Sequence, residues 1–349
     1  NSTDANGTIA IGYQAGKAIT EGQYNTIIGY QAGDALTDGD SSTIVGYQAG
    51  TALAVTGTRG STLVGHEAGK ALTQGGNNTA IGRSALKTQT TGNSNVAIGD
   101  QAMQYTPAST AISSVVAIGV SALGDGSGMS TTGDGGVAIG SGVGNNIKNL
   151  AGEFVIIGKD AGQKINGTGV THIGYEAGQY ASGSSNTFVG GDAGKGGTTS
   201  APFSSGENNV AVGYQALDAF TTGYYNTVVG RSAGTAVTTG FANVYLGYQA
   251  GYRNTTGRSN IAIGGNAQQG VSGQTDGDYN ISLGENSLLG LTTGNHNFAA
   301  GAGAGLSLTS GENNIIMGNA AGDALTTTSN AVMIGREAGT NINSGDANG

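Results

Sequence analysis

The chain has 349 residues, of which 68 are Gly, 2 are Pro and none is Cys or Trp, and only 10% are charged. The missing cysteine excludes disulfides and thiolate metal sites. A net charge of -9 argues against a nucleic-acid partner, which needs a basic footprint, and against adsorption to anionic lipid. No run of about 18 apolar residues is present to cross a membrane as a helix. Glycine without a strict every-third-residue period excludes collagen. Disorder is disfavoured because the 37% of hydrophobic residues are placed regularly.

That regularity begins near the N-terminus. Thr26-Ile27-Ile28-Gly29-Tyr30-Gln31-Ala32-Gly33 returns as Thr43-Ile44-Val45-Gly46-Tyr47-Gln48-Ala49-Gly50. Its anchor glycine recurs from Gly12 and Gly29 through Gly99 and Gly264 to Gly335, nineteen times, most often at a step of 17. Helical repeats run to about 33 residues or more, and this composition suits a helix poorly. β-Branched residues before the glycine, and Thr-Thr-Gly or Ser-Gly after it, fit a coil of short strand, turn, short strand, turn. The expected fold is therefore all-β: a tandem-repeat parallel β-solenoid, or β-roll, with residues 1–349 as a single array of nineteen coils. At about 4.8 Å per coil the array would extend on the order of 90 Å.

Each position in the coil has an expected role. The aliphatic before the anchor (Ile11, Ile28, Ile98, Ile263) is expected to be the core ladder. The small residue three after it (Ala15, Ala32) is expected to face that ladder across a core one side chain deep. The anchor glycine is expected to take positive φ or to let a backbone pass close. Asparagine four before the anchor, at Asn95 and Asn260 among others, is expected to stack into amide ladders. Tyr13, Tyr30 and Tyr47 form one stripe and Gln14, Gln31 and Gln48 the next. Stacking between coils accounts for the tyrosines, with sugar stacking the alternative.

The triplets Val96-Ala97-Ile98, Val155-Ile156-Ile157 and Thr227-Val228-Val229 carry apolar residues at consecutive positions. A strand with one wet face alternates, whereas continuous apolarity implies two covered faces. One face lines the coil, and the other needs identical chains packed alongside. Three-fold packing, a homotrimeric rod, is the favoured arrangement.

Longer coils occur near 100–118, 120–139, 191–212 and 265–283. Solenoids place loops, often on a binding face, at such departures. Candidate surface contacts are Pro107 in the first, Lys195, Thr198, Thr199, Pro202 and Phe203 in the third, and Gln274 and Asp276 in the fourth. Neutral insertion is the plainer reading of these loops. The chain closes on Gly345-Asp346-Ala347-Asn348-Gly349, which is like its own start at Asp4-Ala5-Asn6-Gly7, and is expected to be a segment of a longer fibre.

No cofactor or metal site is expected. The Gly16-Lys17, Gly69-Lys70 and Gly194-Lys195 pairs lack the spacing and the following Ser or Thr of a phosphate loop. His66, His172 and His296 fall at different repeat phases. Asp38-Gly39-Asp40 and Asp276-Gly277-Asp278 read as turns before calcium sites. Polysaccharide-degrading β-helices need clustered carboxylates, and no stripe is expected to keep charge over adjacent coils.

Asn95-Val96-Ala97-Ile98-Gly99, Asn209-Val210-Ala211-Val212-Gly213 and Asn260-Ile261-Ala262-Ile263-Gly264 resemble the head repeats of trimeric autotransporter adhesins. Those form a left-handed parallel β-roll with three chains side by side. The longer consensus, with Gly-Tyr-Gln-Ala-Gly and Thr-Thr-Gly-x-x-Asn, resembles shaft repeats of bacteriophage tail fibres. The longer coil departs from the adhesin pattern, and the coiled-coil stalk, membrane anchor and autoprocessing chaperone of many such fibres are not in this sequence. The resemblance implies a non-enzymatic shaft of an extracellular attachment fibre, on a virion or a bacterial surface, that displays loops to cell-surface glycans. An ice-binding solenoid is the alternative, from the Thr26, Thr43, Thr62 and Thr79 ladder. That ladder lapses at Val96, Val116 and Val137 and is expected to share the phase of the aliphatic core. A polysaccharide-degrading enzyme is the third reading.

Overall fold

The structure is a computed structural model and describes residues 6–54, 60–105, 111–125, 135–147, 153–198, 200, 202–270 and 276–342. No helix occurs among them. Nineteen strands follow one another, one per coil, each of three residues except the four-residue Phe154–Ile157 and Val170–Ile173. The expected all-β parallel β-solenoid is present. The chain forms two compact units, residues 1–172 and 173–349.

In the first unit, Thr26–Ile28 pairs in parallel with Thr43–Val45, each residue on its equivalent in the next coil. In the second, the same pairing runs from Thr187–Val189 on Val210–Val212 to Ile315–Met317 on Val332–Ile334. Long coils do not shift the register. Val96 still meets Val116, and Ile98 still meets Ile118. A slip of one residue would move every side chain to the opposite face, so the extra residues leave the ladder instead.

Only one strand forms per coil, where two were expected. Gln31 and Gly33 both take left-handed backbone, with φ of 52° and 53°, on either side of Ala32. An extended pleat cannot contain such residues, so the return path is a chain of turns. Those turns still pass hydrogen bonds between coils: Gln31 N–H donates to Tyr13 O at 2.8 Å, and Gly16 N–H donates to Ala32 O at 2.9 Å.

The core ladder is displaced by one residue from its expected place. Ile11, Ile28 and Ile263 are 58%, 36% and 40% exposed, and Ile98 is half-buried. Side chains alternate across a strand, and it is the middle residue that points inward. Ile27, Ile44, Leu63, Ala97, Phe188 and Val228 are fully buried. Opposite them lie the expected alanines, with Ala32, Ala49 and Ala68 fully buried and Ala15, in the first coil, partly so. A third ladder, Leu36, Leu53 and Leu72 in the first unit and Val237, Leu308 and Leu325 in the second, completes the interior. Burying each of these aliphatics contributes roughly 1.5–3 kcal/mol.

The anchor glycine is required twice over. Gly29, Gly99 and Gly264 have φ of 137°, 134° and 134°, a region that a side chain makes costly. A β-carbon at Gly12 would also stand 2.5 Å from Gly29 O, and one at Gly264 would stand 2.6 Å from Gly284 O. Where asparagine occupies the corner before a strand, as at Asn95 and Asn260, it is buried and bonded through the stack. Asn95 N–H donates to Asn78 Oδ1 at 3.0 Å. Asn260 Nδ2 donates to Asn243 Oδ1 at 3.2 Å and to Gly277 O at 2.8 Å. In the second unit, amide-to-amide bonds join Asn186, Asn209, Asn226, Asn243, Asn260, Asn280, Asn297 and Asn314.

Candidate functional site

Two residues of every strand face away from the interior, and together they make an unusual surface. In the first unit Thr26 and Ile28, Thr43 and Val45, and Thr62 and Val64 stand in register. In the second unit Val210 and Val212, Thr227 and Val229, Val244 and Leu246, and Ile261 and Ile263 do the same. Coils above and below cover part of each side chain, yet Val229 remains 38% and Ile315 43% exposed. The result in each unit is a ribbon two side chains wide and made chiefly of β-branched and aliphatic residues, with Phe298 and Met317 among the exceptions in the second unit. Contiguous apolar surface beyond a few hundred Å² marks an interaction face in soluble proteins. The threonines expected in the core phase lie on this ribbon as well, which corrects the sequence reading. Thr43 is exposed, and Thr26, Thr62 and Thr79 are half-buried.

The tyrosine and glutamine stripes satisfy themselves. Tyr13 stacks on Tyr30 at 5.2 Å, Tyr30 on Tyr47 at 5.3 Å, and Tyr47 on His66 at 5.0 Å between ring centroids. Their faces are turned to one another, so edges and hydroxyls meet solvent. Gln31 Nε2 donates to Gln14 Oε1, and Gln48 Nε2 to Gln31 Oε1, both at 3.0 Å. In the second unit a looser band forms. Tyr224 stacks on Phe241 at 4.8 Å, the Arg258 guanidinium lies 5.5 Å from the Tyr279 ring, and Arg258 Nε pairs with Asp278 at 3.0 Å.

Of the sequence-derived loop candidates, Pro107, Thr199 and Gln274 lie outside the described residues. The others are not brought into one site. Pro202 is exposed. Phe203, read as an exposed contact, is half-buried and stacks on Tyr180 at 6.5 Å. Thr198 Oγ1 and Ser204 Oγ share a hydrogen bond at 3.0 Å. Asp276, on another coil, accepts from Thr255 Oγ1 at 2.6 Å. Partial burial works to raise its pKa, but the Thr255 and Thr256 hydrogen bonds outweigh that and hold it below the ordinary value.

Lys195 is engaged in an ion cluster. It pairs with Glu176 and, at 3.2 Å, with Asp192. Burial would lower its pKa, and these two carboxylates more than reverse that. Glu176 and Asp192 occupy the same position in consecutive coils, two residues after Gly174 and Gly190. This corrects the expectation that no stripe keeps charge across coils. Burial, followed by repulsion from Asp192, pushes the nearby Asp218 carboxyl up to about 6. His172 occupies an inward slot of Val170–Ile173. Burial lowers its pKa to about 3, so its imidazole is neutral at physiological pH. Among the described residues, no group of three or more His, Cys, Asp and Glu is arranged to hold a metal ion.

No family model, curated protein or solved structure matches the chain. The functional reading therefore rests on the coil and its surfaces. The apolar ribbon was hidden from sequence reasoning only in its phase. The consecutive apolar residues signalled it, but they did not say which of them turned outward.

Proposed function

We propose that the chain is the shaft of an extracellular attachment fibre, of virion or bacterial-surface type, in which three copies pack along their apolar ribbons and the outer surfaces meet cell-surface glycans. The β-solenoid fold is compatible with this role. The observation that carries the reading is the ribbon itself: Ile28, Val45, Val229 and Ile263 repeat coil after coil on the face turned away from each chain's own core. Identical, regularly spaced ribbons complement one another under a closed rotation. Covering them would remove from water the apolar surface that a lone chain exposes. The carboxylates nearest to a catalytic arrangement, Glu176 and Asp192, are held by Lys195, which favours a structural role for them. The shaft role includes no catalysis.

Light scattering on the folded chain tests this. A solution mass of three times 34.1 kDa is the expected result, and a monomer would overturn it.

One observation favours a second reading. Thr26, Thr43, Thr62 and Thr79 lie in register on the outward ribbon, a flat array of the kind an ice-binding surface needs. A monomer that produces thermal hysteresis would establish that reading in place of the fibre.

A further inference from the structure

A groove of the first unit lies where the stripe of long polar side chains is interrupted. Regular coils carry long side chains two and five residues after the anchor, such as Gln48 after Gly46, and Glu67 with Lys70 after Gly65. These bond from coil to coil: Lys70 Nζ donates to Gln48 Oε1 at 2.9 Å and pairs with Glu67 at 2.6 Å. The coil that starts at Gly119 has Ser121 and Gly124 at those two places. Its neighbours have Gln101 and Gln104 on one side, and Gly142 and Asn145 on the other. Short side chains between longer ones leave a groove of about 450 Å³, in the size range of small-ligand sites.

The lining has a consistent chemistry. Ser121 and Gly124 lie between Gln101, Gln104 and Tyr105 of one coil and Asp125 and Asn145 beyond. Gln104 lines the groove, and no side-chain hydrogen bond ties it to another described residue. Its amide can both donate and accept at the groove. Gln101 is in a similar position, because the serines that flank it in the stripe, Ser84 and Ser121, are too short to continue a glutamine ladder. Tyr105 is 50% exposed. Its bridge partner in the next coil is Asp125 and the equivalent residue of the coil before is Thr88, so neither supplies a ring to stack on it. The Tyr13–Tyr30–Tyr47 stripe uses its ring faces internally, whereas Tyr105 has no stacked ring among the described residues.

We propose that this groove binds a neutral oligosaccharide. Half-exposed aromatic faces take the apolar face of a sugar ring. Amides, a hydroxyl and a carboxylate match its hydroxyl groups as donors and acceptors. No lysine or arginine is among the described lining residues. With Asp125 present and a net charge of -9, the groove disfavours sialylated or uronate-bearing chains. Repetition of a weak site across associated copies would supply avidity. The proposal deepens the attachment reading by giving it a place and a ligand class.

The test uses the full chain and saturation-transfer NMR. The probes are neutral tetrasaccharides of glucose, mannose or galactose, with sialylated and glucuronate-containing counterparts. At least one neutral probe is expected to bind saturably and its acidic counterparts more weakly. Tyr105→Ala is expected to weaken binding about tenfold. Ser121→Gln fills the groove at a position whose φ of 52° equals that of Gln31, so it is expected to abolish binding while the melting temperature holds. No saturable binding across the panel, binding retained by Ser121→Gln, or equal binding of acidic probes would each overturn the proposal. A trimer that binds no saccharide removes the groove and leaves the shaft, whereas a monomer that binds one does the reverse.

Discussion

Asn243 Nδ2 donates to Asn226 Oδ1 at 3.0 Å and to Gly257 O at 2.9 Å. One side chain thus ties its own corner to the coil before it and the coil after it. Asn226 Oδ1 also receives the Asn243 backbone N–H at 3.1 Å. All of these atoms are buried, where an unmet polar group costs about 1–3 kcal/mol.

Asn243→Ala is therefore expected to destabilise the second unit by at least about 2 kcal/mol, read from the urea midpoint. It strands Gly257 O and half of the bonding to Asn226. A change below about 0.5 kcal/mol would show that the ladder is not structural.

Asn254 should respond in the opposite sense. It is fully buried in the slot that holds Leu36, Leu72 and Val237 in other coils, and neither its Nδ2 nor its Oδ1 has a hydrogen-bond partner among the described residues. Asn254→Leu is expected to raise stability by about 1–3 kcal/mol, seen as a higher melting temperature.

Acid stability should turn on two groups of opposite sign. The folded pKa of His172 is about 3 against a reference of 6.5, so the unfolded chain binds the proton first. Its contribution is complete above about pH 6.5 and is lost as pH falls toward 3. Asp218 is raised from 3.8 to about 6, so it penalises the fold as pH rises through that interval. His172→Leu is expected to flatten the loss of stability between pH 6.5 and 4.5. Asp218→Asn is expected to stabilise at pH 7 and to change little below pH 4. Denaturant midpoints against pH separate the two.

The outward ribbon offers a direct handle on assembly. Ile263→Glu leaves the interior untouched, because Ile263 faces out and Ala262 in. The variant is expected to keep the circular dichroism of the parent while its solution mass falls to one chain. An unchanged mass would place the contact elsewhere.

The coil was legible in the sequence because its glycines, alanines and asparagines recur at fixed phase, and each has a backbone or packing reason to be that residue. The facing of the strand was not. In Thr26-Ile27-Ile28 both candidates for the core are isoleucine, and alternation gives no signal. The informative contrast is between columns. The middle position varies among Ala97, His172, Tyr245 and Ser282, whereas the position before the anchor stays close to Ile, Val and Leu. Intuition assigns the uniform column to the core. The structure places the variable one there, because an interior of three ladders can trade volume among them. The groove was hidden for a related reason: Ser121 and Gly124 are ordinary residues until it is known which side chains stack above and below them.

The asparagine ladder of the second unit also has a direction. From Asn209 to Asn314 every Nδ2 donates to the lower-numbered coil. At one end, Asn186 Nδ2 turns to the carbonyls of Gly183 and Gly206. At the other, Asn314 Oδ1 receives the Ala331 N–H. The amide dipoles add head to tail, so the stack has a donor pole and an acceptor pole that cannot be exchanged. Whole coils can be duplicated or deleted within such a row without disturbing its order, but a coil can join it in only one orientation.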